Sequence, residues 1–306
     1  MPIGYADLQR FYEALVARAR EAGVTCAITS GMACVAHGLA ETTKDCDLLC
    51  APEGAERLLQ IINSTEFGNA SPHYRGNLSP PLDQRWLEGG WTSHFMWNTA
   101  EGPAYLDVFG LPPRGTDPWE LEIQGFYAGP HTVAEMKRTN RDKDWPFITG
   151  LGTKMLKARD VRGWLHIYDP EVLLGFRDEA EVPASMIESR PVLDLVQRRD
   201  SRLGPILHVE RLFWHELDRA RLRVYERAVR PYMVAVRKSL AAKALVLGAE
   251  HAIRRECAHQ VLPTRPLQDY GIERMIGEAR EALAPIVSPS AMHWLPNVRK
   301  HFIFPP

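Results

Sequence analysis

The sequence predicts an α/β chain of the α+β type: a small sheet with helices packed on it over residues 1–158, then a mainly helical region over 159–306. Three observations carry this. The chain opens helix, strand, helix, strand, helix; apolar runs of strand character continue through "ELEIQGFYAG"; and beyond about residue 160 the pattern is almost wholly helical.

In order, Leu8, Phe11, Leu15, Val16 and Ala19 share one helical face over residues 5–22, and Gly23 stops that helix. "TCAIT" reads as a short buried strand, "GMACVAHGL" as a helix opening at Gly31, and "DCDLLC" as a second strand. "PEGAERLLQIIN" is an amphipathic helix after Pro52. Residues 64–90, rich in Pro, Gly, Asn and Ser, read as loop or irregular edge structure. "WTSHFMWN" and "AYLDVFG" read as neighbouring strands joined across "TAEGP", and "ELEIQGFYAG" as a further strand. "TVAEMKRTN" reads as a helix capped by Thr132. "DKDWPFITGLGTKMLKARD" reads as helix interrupted near Pro146 and Gly150–Gly152. A long helix follows from about His208 to Ala242, kinked at Pro231, and a proline-rich tail ends the sequence.

Composition bounds the function. With 45% hydrophobic and 25% charged residues in 306, the chain has the make-up of an ordinary globular protein. A formal net charge of -1 supplies no global field for nucleic acid or membrane. No apolar run approaches the roughly 20 residues that cross a bilayer, and "MPIGYADLQR" lacks the signature of a signal peptide, so a cytoplasmic location is expected. Cys26, Cys34, Cys46 and Cys50 cluster early, but their gaps match no zinc pattern, and they read as small apolar filler.

The chemistry is concentrated in "DCDLLC". On a strand, residues two apart face the same way, so Asp45 and Asp47 project together while Cys46, Leu48 and Cys50 pack behind. Two carboxylates held side by side in a partly dry site repel, and a raised pKa or a bound cation relieves them. Magnesium suits such a pair, because it takes a few carboxylates together with substrate phosphates. Three neighbours strengthen this reading. Ser30-Gly31 forms a small-residue turn between strand and helix, suited to close approach by a phosphate. Asp107 is a further carboxylate inside an apolar strand. "MKRTNRDKD" gathers Lys137, Arg138, Arg141 and Lys143, with Lys137 and Arg141 four apart on one helical face.

These segments together resemble the nucleotidyltransferase-fold superfamily, and within it the bacterial proteins related to AbiEii-type toxins and similar stand-alone transferases. The likeness rests on "ITSGMACVAHGLAETTKDCDLLC", "YLDVFG" and "KRTNRDKD", and spans about residues 5–157. Asp45, Asp47, Asp107, His37-Gly38, Thr43 and the series Lys137, Arg141, Lys143, Asp144 fall in register with its motifs. The resemblance implies a small mixed sheet and two magnesium ions on Asp45, Asp47 and Asp107, the catalytic aspartates. It also implies nucleotide contacts from Ser30, Gly31, Thr43, Lys44, Lys137, Arg141 and Lys143. The expected reaction moves a nucleoside monophosphate from an NTP, such as ATP, to a hydroxyl acceptor and releases pyrophosphate. The acceptor is a tRNA, a protein or a small molecule. The motifs depart in two places: Ser30 stands where the family has the first of two glycines, and Glu41 stands where it has an arginine. These leave an alternative, a degenerate member that binds a nucleotide or a partner protein without turnover, as in a toxin–antitoxin pair.

The remaining candidates read as structural. His37 follows a helix end, Ser30 lies in no GxSxG elbow, and His251, Cys257 and His259 have poor ligand spacing. The long helix carries Arg219, Arg221, Arg223, Arg227, Arg230, Arg237, Lys238 and Lys243 against Glu226 alone. A solvated face is expected there, with a nucleic-acid track as the sharper alternative. Phe213, Trp214, Tyr225 and Tyr232 read as core.

Overall fold

A computed structural model describes residues 3–110, 123–241 and 245–302. The first element is α1 (Tyr5–Glu21), which buries Leu8, Tyr12, Leu15, Val16 and Ala19. It is followed by β1 (Cys26–Thr29), α2 (Ser30–Ala36), β2 (Asp45–Cys50), α3 (Ala55–Asn63), β3 (Pro72–Tyr74), α4 (Gln84–Glu88), β4 (Thr92–Thr99) and β5 (Gly102–Phe109). A small hairpin, β6 (Ile123–Gln124) and β7 (Tyr127–Ala128), turns at Gly125, whose φ of 59° suits glycine. Most of the strand expected in "ELEIQGFYAG" falls there, its first three residues lying outside the described ones.

The strands form one mixed sheet of seven in the order β3-β4-β5-β2-β1-β7-β6. β2 runs parallel to β5 and antiparallel to β1. Cys46, Leu48 and Cys50 are buried on one face of β2, as period-two alternation requires. Helix α1 packs on that side, where Tyr12 donates its hydroxyl to the Tyr105 carbonyl at 2.6 Å. The opposite face, carrying Asp45 and Asp47, meets α2, and α5 (Pro130–Lys137) packs on α2 and reaches the sheet where Met136 accepts from the Thr29 hydroxyl at 3.2 Å.

Helical elements complete the described chain: α6 (Trp145–Lys157), α7 (Pro170–Glu179), α8 (Ala184–Ser189), α9 (Leu193–Gln197), α10 (Leu203–Leu240), α11 (Leu247–Val261), α12 (Pro266–Tyr270), α13 (Ile272–Leu283) and α14 (Pro289–Met292). One apolar core joins Ile148 and Leu151 of α6 to Trp164, Leu173, Leu217 and Met275, and so runs continuously across residue 158. Among the described residues, no helix is long and apolar enough to cross a membrane.

Four local expectations are corrected. The helix expected to be capped at Thr132 starts at Pro130 with Gly129 as N-cap, because proline suits the first helical position; Thr132 is buried and its hydroxyl has no hydrogen-bond partner. Helix α6 is unbroken: Pro146 lies in its first turn, where no N–H bond is lost. Its glycines mark close packing rather than breaks. A Cβ on Gly152 would meet the Gly163 carbonyl at 2.9 Å, and one on Gly163 would meet the Gly152 carbonyl at 2.5 Å. Residues 64–90 hold β3 and α4, formed by tertiary pairing with β4 and by Asp83, whose side chain accepts from the Arg85 N–H. The long helix opens at Leu203, earlier than its pattern suggested, and continues through Pro231 to Leu240.

All five cysteines are free and buried, the filler role expected of them. His37 is buried against the Ala128 carbonyl, Nε2 to O 3.0 Å. His251 pairs with the Tyr74 hydroxyl at 2.7 Å and His259 with Arg85, so these two join no ligand cluster.

Candidate active site

A polar row crosses the sheet at one level. Thr29 of β1 pairs with Asp47 of β2, Asp47 with Asp107 of β5, and Asp107 with His94 of β4. Just past β3, the Arg75 N–H donates to the His94 carbonyl at 2.9 Å, adding a fifth member. Because paired residues in a sheet share a face, the side chains of this row stand together. Asp45 sits one pleat along on the same side, opposite Tyr105.

On the α2 side of the row lies a cleft of about 350 Å³. Asp45, Asp47, Ser30, Gly31, Thr43, Lys137, Arg141 and Lys143 all line it, together with Asp144 and Phe147. The expected residues therefore converge, except for two. Lys44 is exposed and does not line the cleft, and Asp107 lies one strand away from it.

Several of these residues have a physical support. Asp144, almost fully buried, holds Lys137 at 3.2 Å and Arg141 at 2.7 Å, fixing two cations in the cleft. Lys137 also lies 5.2 Å over the Phe147 ring. Gly31 lets the chain pass close to Thr43: a Cβ there would sit 2.6 Å from the threonine hydroxyl. Ser30 adopts φ 54°, the left-handed region that a side chain enters only at a cost. This explains why glycine would be the ordinary residue at this position. In return, the Ser30 side chain hydrogen-bonds the Asp47 carboxylate.

Burial pushes the Asp47 carboxyl up to about 6, and the neighbouring Asp107 charge adds to it. The Ser30 hydrogen bond and the Lys137 charge pull the other way without cancelling the rise. An ionised Asp47 is thus poised to gain from a cation.

Asp107 is held differently. Arg75 donates to both of its oxygens, at 2.7 and 2.9 Å, and the His94 Nδ1 lies 2.8 Å from one of them. Arg75 in turn stacks over Tyr105 at 5.0 Å. An ionised carboxylate only accepts, so the His94 Nδ1–H donates to Asp107, which in the neutral imidazole leaves Nε2 as the acceptor of the ring. The ligand atoms of Asp45, Asp47 and Asp107 do not come together within 4.8 Å. The carboxylates that line the cleft and would hold a magnesium ion are Asp45 and Asp47. Asp107, whose oxygens are already engaged by Arg75 and His94, fits a second ion poorly.

The one cluster whose ligand atoms do gather within 4.8 Å, among the described residues, is His131, Glu135 and His166. It reads as a hydrogen-bond network rather than a metal site. Arg138 donates to Glu135 at 2.6 Å and to the His166 Nδ1 at 2.7 Å. That leaves the His166 Nε2–H to donate to His131 Nδ1 at 2.7 Å. His301 closes the network on the other Glu135 oxygen at 2.8 Å. The guanidinium already supplies the positive charge a metal would bring, and burial drives His131 down to about 4 and His166 well below its ordinary range.

On α10, Arg219 pairs with Glu216 and Arg221 with Asp218 inside the helix, while Arg223, Arg227, Arg230, Arg237 and Lys238 are exposed. Lys243 lies outside the described residues. Arg75 and His94 are the site residues that the sequence reading missed. A usable signal existed for His94: counting back from the hairpin turn, where Thr99 faces Gly102, puts residue 94 opposite residue 107. No family model matches the chain, and neither does any curated protein or solved structure.

Proposed function

We propose that this protein is a magnesium-dependent nucleotidyltransferase, moving a nucleoside monophosphate from an NTP to a hydroxyl acceptor with release of pyrophosphate. The observation that carries the reading is that Asp45 and Asp47 share one cleft of about 350 Å³ with Lys137, Arg141 and Lys143. Paired carboxylates and a group of cations in one cleft, two of them held by Asp144, suit a triphosphate and its metal ion. The whole sequence pattern, from Ser30-Gly31 to the Lys137–Asp144 series, supports the same reading.

Magnesium, held by Asp45 and Asp47, would neutralise phosphate charge and orient the triphosphate. Lys137, kept in place by Asp144, meets the outer phosphate oxygens, and Arg141 and Lys143 close over them. Ser30 and Gly31 form the floor, where no bulky side chain stands between backbone and phosphate. Asp107 orients His94, which takes the proton of the acceptor hydroxyl. Positioning and charge neutralisation account for the acceleration.

Calorimetric titration with each NTP, with and without magnesium, tests this. The expected result is magnesium-dependent binding, lost in Asp45→Asn and in Lys137→Met with the fold intact. Equal binding in all three proteins would overturn it.

A second reading has one observation in its favour. The Arg75 grip on both Asp107 oxygens resembles a carboxylate turned to structural use. On that reading the protein binds a nucleotide or a partner protein without turnover, and NTP binding persists with no product at any acceptor.

A further inference from the structure

A second cavity, of about 590 Å³, opens on the other side of the aspartate row, between the β4–β5 hairpin and the second half of α10. Its walls are Trp91, Phe109, Leu222, Tyr225, Val229 and Met233, and His94 reaches it from the row. We infer that this cavity is the acceptor site and takes a small alcohol with an apolar, ring-sized body, its hydroxyl against His94. The inference rests on the nucleotidyltransferase reading and names the acceptor that the reading leaves open.

Size, lining and place each argue for it. The volume lies within the roughly 300–1,000 Å³ of pockets that enclose a whole small molecule. The lining is mostly aromatic and aliphatic, with the solvent-exposed Glu226 and Arg230 of α10 beside it, and Trp91 and Tyr225, set edge to face at 4.9 Å, hold one wall rigid. The Tyr225 hydroxyl is already used, donating to the Gly89 carbonyl at 2.9 Å, and Arg221 is tied to Asp218. Against Trp91, Phe109, Val229 and Met233, away from the exposed Glu226 and Arg230, a sugar or a nucleotide end would leave its polar groups unmatched. An apolar body loses nothing. His94 links the two cavities: it borders the apolar one and touches Asp107, which pairs in register with Asp47 at the polar one.

The transfer then balances. The hydroxyl proton passes to His94 Nε2, and the hydroxyl oxygen bonds to the α-phosphorus of the NTP. The bond from that phosphorus to the oxygen bridging the β-phosphorus breaks, and pyrophosphate leaves with the electron pair.

The probe for a test is 2-phenylethanol, with glycerol as the polar control, titrated calorimetrically into the full chain without NTP. Two variants fill the cavity from opposite walls, Val229→Trp from α10 and Thr92→Phe from β4, with circular dichroism reporting the fold of each. Saturable 2-phenylethanol binding is expected. It should weaken at least about tenfold, a loss of about 1.4 kcal/mol, in whichever filled variant folds, and persist in Asp47→Asn. Glycerol should not bind. Labelled NTP and magnesium should then label 2-phenylethanol in the unaltered protein. Absence of 2-phenylethanol binding while NTP still binds would overturn the acceptor assignment alone. Undiminished binding in a folded filled variant would do the same, as would label that goes to tRNA in preference to the alcohol. Loss of NTP binding with alcohol binding intact would overturn both readings.

Discussion

Asp47→Asn should make the protein more stable, and by an amount that depends on pH. Burial and the nearby Asp107 raise the Asp47 carboxyl from 3.8 to about 6. A shift of that size corresponds to about 3 kcal/mol, at about 1.4 kcal/mol per pKa unit. The sign follows from linkage: the folded state holds this proton more tightly than the unfolded one, so unfolding between pH 4 and 6 releases it. The stability this group contributes is therefore greatest below pH 4 and is lost as pH rises through 6. Asparagine carries no charge at any pH and keeps an oxygen for Ser30. The variant should exceed the parent by up to about 3 kcal/mol at pH 8 and match it near pH 4, a gain of about 5 °C or more in the unfolding midpoint. Thermal unfolding with a chelator present, at several pH values from 4 to 8, measures the gap. Magnesium should narrow it by stabilising the parent alone. A variant less stable at every pH, or a gap that does not change with pH, would refute the electrostatic account of the site.

The other predictions concern its supports. Arg75→Met should free Asp107 and tighten magnesium binding severalfold, read by titration of the metal alone; unchanged or weaker affinity would mean that Asp107 never faces the ion. Gly31→Ala should weaken NTP binding about tenfold or more, a loss of about 1.4 kcal/mol, because its methyl group would strike the Thr43 hydroxyl; adding Thr43→Ala should restore binding, and no rescue would place the fault elsewhere. Gly163→Ala should destabilise by about 1–3 kcal/mol through overpacking against α6, measured by denaturant midpoint. His131 and His251 are both driven by burial down to about 4. Their folded pKa lies below the unfolded value, so the stability they contribute is present above pH 6.5 and is lost as pH falls towards 4. His251→Gln should flatten part of that acid limb.

What the sequence disclosed depended on how local the cause was. The aspartate pair on β2 was legible because period-two alternation is a property of the strand itself, and Cys46, Leu48 and Cys50 mark its buried face. The convergence of Lys137, Arg141 and Lys143 on one cleft was legible as a motif. Asp144 was legible as the last member of that motif, but its burial and its hold on Lys137 and Arg141 were not, because both depend on tertiary packing. Arg75 was hidden in a stretch whose Pro and Gly content masked β3, an element made by pairing with β4 rather than by its own propensity. Pro146 and Gly152 misled for a related reason: each is a helix breaker in isolation, yet one sits in a first turn and the other packs against Gly163. The apolar cavity beside His94 needs residues from 78 to 233 brought together, and no periodicity announces that.

The most direct test of the central claim is to incubate the pure protein with each labelled NTP, magnesium and a pool of hydroxyl acceptors, and to follow pyrophosphate release together with label transfer. The account predicts both in equal amounts, from the unaltered protein and not from Asp47→Asn or from protein stripped of magnesium. Equal activity in Asp47→Asn, or magnesium-dependent NTP binding that never yields product, would contradict it.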